Sequence, residues 1–371
     1  MKFKFEKFDK FFFIVIILLI LSGLLIFISA SLGTLAKSET LFYSIIKSQL
    51  LFGLIFGLIG MYVATRIPCK FWKENSLYIF IGSLLLTVLV FIPFFGWSHG
   101  GASRWVDFGF VSFQPAEILK FGFVIYFSAW LAFVKDKVKT FKYGIMPFGI
   151  ILIVIALLLL NQPDTKNFIL ITITGLSMLF VAGAPWKQLL AILGLSLVLF
   201  GSLVFFNPYI QKRVNTFINS NQDVQGASYQ IRQSMIAIGS GGLVGRGYGQ
   251  SIQKFTYLPE AHGDSIFAVL GEEFGFMGTV TVIILYLLFV LRGLRISNNS
   301  PDLFSRLLVM GIVILIGAQS FMHIASIIGL FPLTGVPLPF MSHGGTSLMV
   351  YLVAIGIVLH ISKFQIKSNR N

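Results

Sequence analysis

Residues 257–291 read YLPEAHGDSIFAVLGEEFGFMGTVTVIILYLLFVL. The second half is apolar for long enough to cross a bilayer, since about 20 apolar residues in a helix span the hydrocarbon core. The first half is polar, and Asp264 stands where one becomes the other. Glu260, Asp264, Glu272, Glu273 and His262 are driven up to and into a hydrophobic run. Such a chain is membrane-embedded and has a use for its charges, because an intramembrane carboxylate costs about 2.5–3.5 kcal/mol unless it is paired or protonated.

Outward from this stretch, apolar runs fill the chain. Of 371 residues, 56% are hydrophobic and 11% charged, and 40 are phenylalanine. That charged share is under half of the roughly 25% usual in soluble domains. The runs predict an all-α integral membrane protein of ten transmembrane helices, centred in 11–30, 46–64, 77–95, 116–134, 144–160, 168–184, 188–205, 265–291, 304–330 and 346–361. They form a single polytopic membrane domain over 1–371. The first run reads as an anchor rather than a cleaved signal, because it exceeds the usual apolar core of about 7–15 residues.

An even number of crossings puts both termini on one side. Basic residues of short loops stay cytoplasmic. Lys2, Lys4, Lys7 and Lys10, then Lys135, Lys137, Lys139 and Lys142, then Lys363, Lys367 and Arg370 share the N-terminal side, as does the lone Cys69. Cytoplasmic termini are therefore expected. Much of the net charge of +14 is topological, and nucleic acid is not implied. A single cysteine excludes an internal disulfide.

This orientation turns 96–115, 161–166, 207–263 and 331–345 outward. The longest interval is an extracytoplasmic loop, 207–264, between the seventh and eighth helices. Within it Ile231, Met235 and Ile238 recur at helical spacing among Gln230, Arg232 and Gln233, the pattern of a helix lying in the membrane interface. The run IGSGGLVGRGYGQS, 238–251, follows. It lacks the strand and helix that a dinucleotide fingerprint needs. Two readings stay open: a compact turn whose glycines permit tight geometry, or a backbone surface that approaches an anion, with Arg246 and Lys254 beside it.

Asp264 suits two compatible roles, N-cap of the following helix and ionised general base. Glu272 lies ~12 Å further along a helix and about 80° around, so it can share a polar cavity with Asp264, whereas Glu273 faces about 180° away and needs another partner. Glu117 and Lys120, in FQPAEILK, share one helix face, where an ion pair lowers the burial cost. Asp164, in NQPDTKNF, can cap the next helix with Lys166 or Lys120 as counter-charge. Both pairs are expected to converge on Asp264. No histidine motif has metal-ligand spacing, and a cation held between carboxylates and a diphosphate stays open. The residues alone describe an outward polar site for an amphiphile with an anionic head.

The segments GASRWVDFG (101–109), FQPAEILK (113–120), NQPD (161–164), YQIRQSMIAIGSGGLVGRGYGQSIQKFTYLPEAHGDSIFAVLGEEFG (229–275) and GVPLPFMSHGGTSLM (335–349) resemble, in order, the successive signatures of the SEDS (RodA/FtsW-like) family of bacterial cell-wall glycosyltransferases. The resemblance implies polymerisation of peptidoglycan glycan strands from lipid II, a disaccharide-pentapeptide on undecaprenyl diphosphate. The reaction would take place on the outer face of the cytoplasmic membrane, among membrane lipids, for elongation or division. It implies that Asp264 matches the family's invariant aspartate and takes the proton of the acceptor's 4-hydroxyl during an inverting displacement. Arg104, Lys120, Arg246 and Lys254 become candidates to stabilise the diphosphate, with a divalent cation (Mg or Mn) as a further candidate. Glu117, Asp164 and Glu272 become candidates to organise the site.

A class B penicillin-binding protein is the implied partner, because no stretch here is large enough for a transpeptidase. Four positions depart from the family pattern: Gly263 stands for a usual threonine, Ser265 for phenylalanine, Lys166 for glycine and His343 for tyrosine. Two other classes of function fit helices with intramembrane charges, a lipid II flippase and a noncatalytic scaffold for the same partner.

Overall fold

The computed structural model describes residues 8–92, 96–99, 102–107, 112–206, 211 and 227–365. The expected start of the long loop, 207–226 apart from 211, lies outside the described residues. Each expected span coincides with a helix. The helices are α1 (Lys10–Leu35), α2 (Glu39–Lys47), α3 (Phe56–Ala64), α4 (Cys69–Glu74), α5 (Ser76–Val88), α6 (Pro115–Val134) and α7 (Ile145–Asn161). They continue with α8 (Thr165–Val181), α9 (Trp186–Phe206), α10 (Ala227–Ser240), α11 (Gln253–Thr256), α12 (Ile266–Asn298), α13 (Leu303–Ile327) and α14 (Gly345–Ser362). A wide π-helical stretch, Ser48–Ile55, joins α2 to α3 without a break.

Among the described residues six helices are long and apolar enough to cross a membrane, while those over Ser76–Phe91, Ile145–Asn161 and Thr165–Val181 are apolar but shorter. The chain is a multi-pass helical membrane protein, and helix length alone does not fix ten crossings. The centre is α13, which packs against α12, α8, α6 and α14. Leu21, Leu25, Leu157 and Phe180 are exposed on the outside of the bundle, as lipid-facing side chains are.

Two features lie beyond the helical reading. A small antiparallel sheet, β1 (Gly96–His99), β2 (Ala102–Asp107) and β3 (Ser112–Phe113), precedes α6 in the order β1-β2-β3. Its strands are too short to show clear alternation. The second feature is a break in α12. Periodicity predicts one continuous helix through 265–291, yet Gly275 has φ 63° and ψ −160°.

The break is filled by the glycine run. In hydrocarbon every freed backbone group needs an internal partner. The N–H groups of Arg246 and Gly247 donate to the carbonyls of Glu272 and Glu273, each at 3.0 Å. Phe276 and Met277 donate to the carbonyls of Gly242 and Leu243 at 2.9 and 3.1 Å. The approach requires glycine, since a Cβ at Gly245 would lie 2.1 Å from the Glu273 carbonyl oxygen and one at Gly275 2.4 Å from the Gly245 nitrogen. The run is therefore a tight docking turn. Its N–H groups at 246 and 247 are spent on α12, which settles the two open readings for that part of the loop.

Candidate active site

The turn that leads into α12 decides how Asp264 is presented. The N–H groups of Gly263 and Ser265 both donate to the Glu260 carbonyl, at 3.0 and 3.1 Å. Ser265, not Asp264, occupies the N-cap position, and no side chain caps the helix. The expected cap is corrected: Ser265 Oγ donates to the Pro259 carbonyl at 2.8 Å and accepts from Gln230 Nε2 at 2.9 Å, which closes the turn and leaves Asp264 on its outside. Asp264 is half-buried. Among the described residues nothing hydrogen-bonds its carboxylate. Gly335 faces it, and a Cβ there would sit 3.0 Å from Asp264 Oδ2. Glycine at 335 keeps the space before the carboxylate clear.

Opposite Asp264 runs GVPLP, 335–339, whose two prolines prevent a regular helix. Its carbonyls therefore need side-chain donors. Lys166 Nζ donates to Gly335, His323 Nδ1 to Val336 at 2.6 Å, Gln319 Nε2 to Pro337 at 3.0 Å and the Tyr286 hydroxyl to Pro339. Beyond it, Ser342 Oγ donates to the Gly263 carbonyl at 2.8 Å and the His343 N–H to that of His262 at 2.8 Å. Gln49, fully buried in the π-helical stretch, accepts from the Gly344 N–H at 3.0 Å and donates to the Ser342 carbonyl at 3.3 Å. Gln49, Gln319, Tyr286 and His323 were missed as site-builders. The signal available was a lone polar side chain inside an apolar run.

The other predicted residues divide into those near the site and those committed elsewhere. Asp164 caps α8 as expected, accepting from Asn167 N at 3.5 Å and Nδ2 at 2.8 Å and from Gln114 Nε2 at 2.9 Å. Arg104 on β2 donates to the carbonyls of Gln162 and Pro163 at 3.1 and 2.6 Å, fixing the approach to Asp164. Glu117 and Lys120 pair at 2.9 Å, and Lys120 also donates to Gln319 Oε1 at 2.7 Å. The Tyr351 hydroxyl donates to Glu117 Oε2 at 2.7 Å. This pair supports GVPLP through Gln319 and does not reach Asp264 directly. Lys120 is within electrostatic reach of Asp164 and Lys166.

Glu272 and Lys254 are corrections. Glu272 accepts from Ser251 Oγ at 2.6 Å and the Ile252 N–H at 2.9 Å, with Arg246 Nε 3.5 Å away. It folds the loop after the glycine run instead of sharing a cavity with Asp264. Lys254 is 2% exposed and donates to Glu273 Oε1 at 2.7 Å, to Ser29 Oγ at 2.8 Å and to the Gly249 carbonyl at 2.9 Å. All three of its N–H bonds are thereby occupied. The break in α12 moved these partners, because it brought the loop to the glutamates. Arg246 remains 39% exposed.

Burial dominates the histidines beside Asp264. His262 is held below the usual histidine range by desolvation, against the opposing pull of the Glu260 and Asp264 charges. His343, whose ring stacks on Phe27, is pushed down to about 4 by burial and by neighbouring His262. Both rings are neutral at physiological pH. No group of three or more His, Cys, Asp or Glu suited to a metal comes together among the described residues.

Membrane helices surrounding a carboxylate without a hydrogen-bond partner among the described residues, a proline-rich wall and neutral histidines define a polytopic protein built to hold a polar reaction at the bundle end. The chain matches the FtsW/RodA/SpoVE cell cycle protein family model over residues 9–367, and it belongs to that SEDS family. It is 38% identical to a probable peptidoglycan glycosyltransferase FtsW of Geobacter sp. (strain M18) over 360 residues, covering 96% of this chain and 97% of that one. It is 36% identical to stage V sporulation protein E of Bacillus subtilis (strain 168), with 95% and 96% covered. Among solved structures it is similar to a chain from "Structural coordination of polymerization and crosslinking by a peptidoglycan synthase complex", at 25% identity and TM-score 0.78, with 96% and 97% covered. It is also similar to the rod shape determining protein RodA of Thermus thermophilus, at 25% identity and TM-score 0.70, with 97% and 98% covered.

Proposed function

We propose that this chain is a peptidoglycan glycosyltransferase that extends glycan strands from lipid II on the outer face of the bacterial cytoplasmic membrane, with its termini in the cytoplasm. The observation that carries the mechanism is the state of the carboxylates. Glu117, Asp164, Glu272 and Glu273 are each held by side-chain or backbone donors, whereas Asp264 has none among the described residues. A base must be ionised and have a lone pair free to act.

The acceptor's 4-hydroxyl is placed against Asp264 in the space that Gly335 leaves open. Asp264 takes its proton as the oxygen attacks the donor's anomeric carbon from the face opposite the diphosphate, which departs with inversion. A diphosphate leaving group needs charge stabilisation rather than protonation. Lys166, which lies across Gly335 from Asp264, and the part-exposed Arg246 are candidates to supply it, while Lys120 and Lys254 serve structure. A divalent cation would add positive charge beside the diphosphate, but the described residues bring together no group of three or more His, Cys, Asp or Glu to hold one, and no step is assigned to it.

The neutral, apolar outer surface of the helices suits the polyprenyl tail and a membrane-anchored class B penicillin-binding protein, which supplies the crosslinking. The test is lipid II polymerisation by the purified chain with that partner, comparing wild type and Asp264→Asn. Glycan strands from wild type alone are expected. Equal product from both would remove Asp264 as the base, and none from either would favour a transporter or scaffold.

A further inference from the structure

Buried polar atoms are almost always paired. His323 is 1% exposed, yet its Nε2 is buried without a hydrogen-bond partner. Its other nitrogen is fixed: Nδ1 lies 2.6 Å from the Val336 carbonyl, which can only accept. The ring proton therefore sits on Nδ1, and Nε2 of the neutral ring carries a lone pair. Asp264 and His323 bracket the same two residues, Asp264 facing Gly335 and His323 holding Val336. Asp264 is also the charged group in electrostatic reach of the ring among the described residues.

Among the described residues the surrounding charges are few. Glu260 and His262 stand with Asp264 on the turn into α12, and Lys166 of α8 lies across Gly335. The Glu117–Lys120 pair meets α13 at Gln319, one turn along from His323. None of these hydrogen-bonds Nε2.

Glycosyl transfer leaves Asp264 as a neutral acid that must lose its proton before the next addition. We propose, resting on the glycosyltransferase reading above, that His323 is a positioning residue that acts through Asp264, its Nε2 lone pair receiving that proton by way of one water molecule. The bookkeeping of bonds closes. The acceptor O–H breaks, the new bond from that oxygen to the anomeric carbon forms, and the anomeric carbon–diphosphate bond breaks. The proton passes from the acceptor oxygen to Asp264, then to Nε2, giving an imidazolium whose Nδ1–H stays on Val336. It leaves to water when the diphosphate product departs.

The test measures lipid II polymerisation by the full chain with its class B partner, across the titration range of histidine, for wild type, His323→Asn and His323→Gln. Each variant keeps an amide N–H for Val336 and removes the basic nitrogen, and thermal melting identifies any variant that fails to fold. A protonated ring cannot accept, so the wild-type rate falls as pH drops through the ring's ionisation. The folded variant is expected to lose kcat by about 10²-fold with KM unchanged, and to lose that acid limb. Wild-type kcat and acid limb would overturn the inference, and so would an equal loss at every pH with the limb retained, which marks structure alone. No glycan from wild type with its partner would overturn the glycosyltransferase reading and this inference with it.

Discussion

Lys166 and His323 donate to adjacent carbonyl groups, Lys166 to Gly335 and His323 to Val336. One comes from the first turn of α8 and the other from α13, and together they hold the segment that faces Asp264. The backbone there is irregular, and in an apolar setting it persists only because side chains satisfy it. The site is thus a carboxylate without a hydrogen-bond partner among the described residues, opposite a wall that is tied down.

That asymmetry separates activity from stability. Asp264→Asn is expected to reduce polymerisation by about 10²–10⁴-fold while leaving the melting temperature unchanged. Asp164→Ala should do the reverse in part, lowering stability by about 1–2 kcal/mol through loss of the α8 cap. Glycan gels and thermal melts on the same preparations check both.

The Lys254–Glu273 pair is buried at both ends. Removing one partner strands a charge, so Lys254→Met or Glu273→Leu alone should cost about 3–5 kcal/mol. The double variant should recover much of that loss. A double-mutant cycle by melting in detergent reads the coupling, and additive losses would contradict the pairing.

Gly275→Ala has a sign that distinguishes two structures. In a continuous helix, alanine would be stabilising by about 1 kcal/mol. At φ 63°, with the Gly245 nitrogen 2.4 Å from the added Cβ, it should be destabilising by about 1–3 kcal/mol. Melting temperature is sufficient to decide.

His343 predicts a pH dependence. Its folded value, about 4, lies below the ordinary 6.5, so the unfolded chain binds the proton first as pH falls. Stability is complete above about 6.5 and declines towards 4. His343→Tyr should flatten this part of the melting profile, and an unchanged slope would place the titration elsewhere.

Cys69 is a poor reporter of sidedness, because burial pushes its thiol up to about 11 and leaves little thiolate. On a Cys69→Ser background, Lys70→Cys and Glu260→Cys replace residues whose side chains are 80% and 60% exposed. An impermeant thiol reagent applied to intact cells should label only Glu260→Cys. Labelling of Lys70→Cys would reverse the orientation.

The helices were legible because hydrophobic runs are local. Every expected span, from 11–30 to 346–361, falls on a helix, and the Glu117–Lys120 pair and the Asp164 cap follow from spacings of three residues. The small sheet carrying Arg104 was not legible, since strands of two to six residues leave almost no periodic signal.

By itself the sequence determined a multi-pass helical protein, the family signatures and the placement of Asp264 at the head of a helix, all of which depend on neighbours along the chain. Only the tertiary structure decided which charges remain free. Lys254 and Glu272 look like ligand-binding groups in sequence, but the break at Gly275 admits the glycine run and brings the loop after it to α12, where Lys254 pairs with Glu273 and Glu272 accepts from the Ile252 N–H. Lys166 reaches GVPLP across 169 residues of chain, and His323 reaches it from the preceding helix, 13 residues away. The physical reason is the same in each case: a backbone freed from regular structure in an apolar medium takes its partners from whatever packing brings near, and sequence separation carries no record of that.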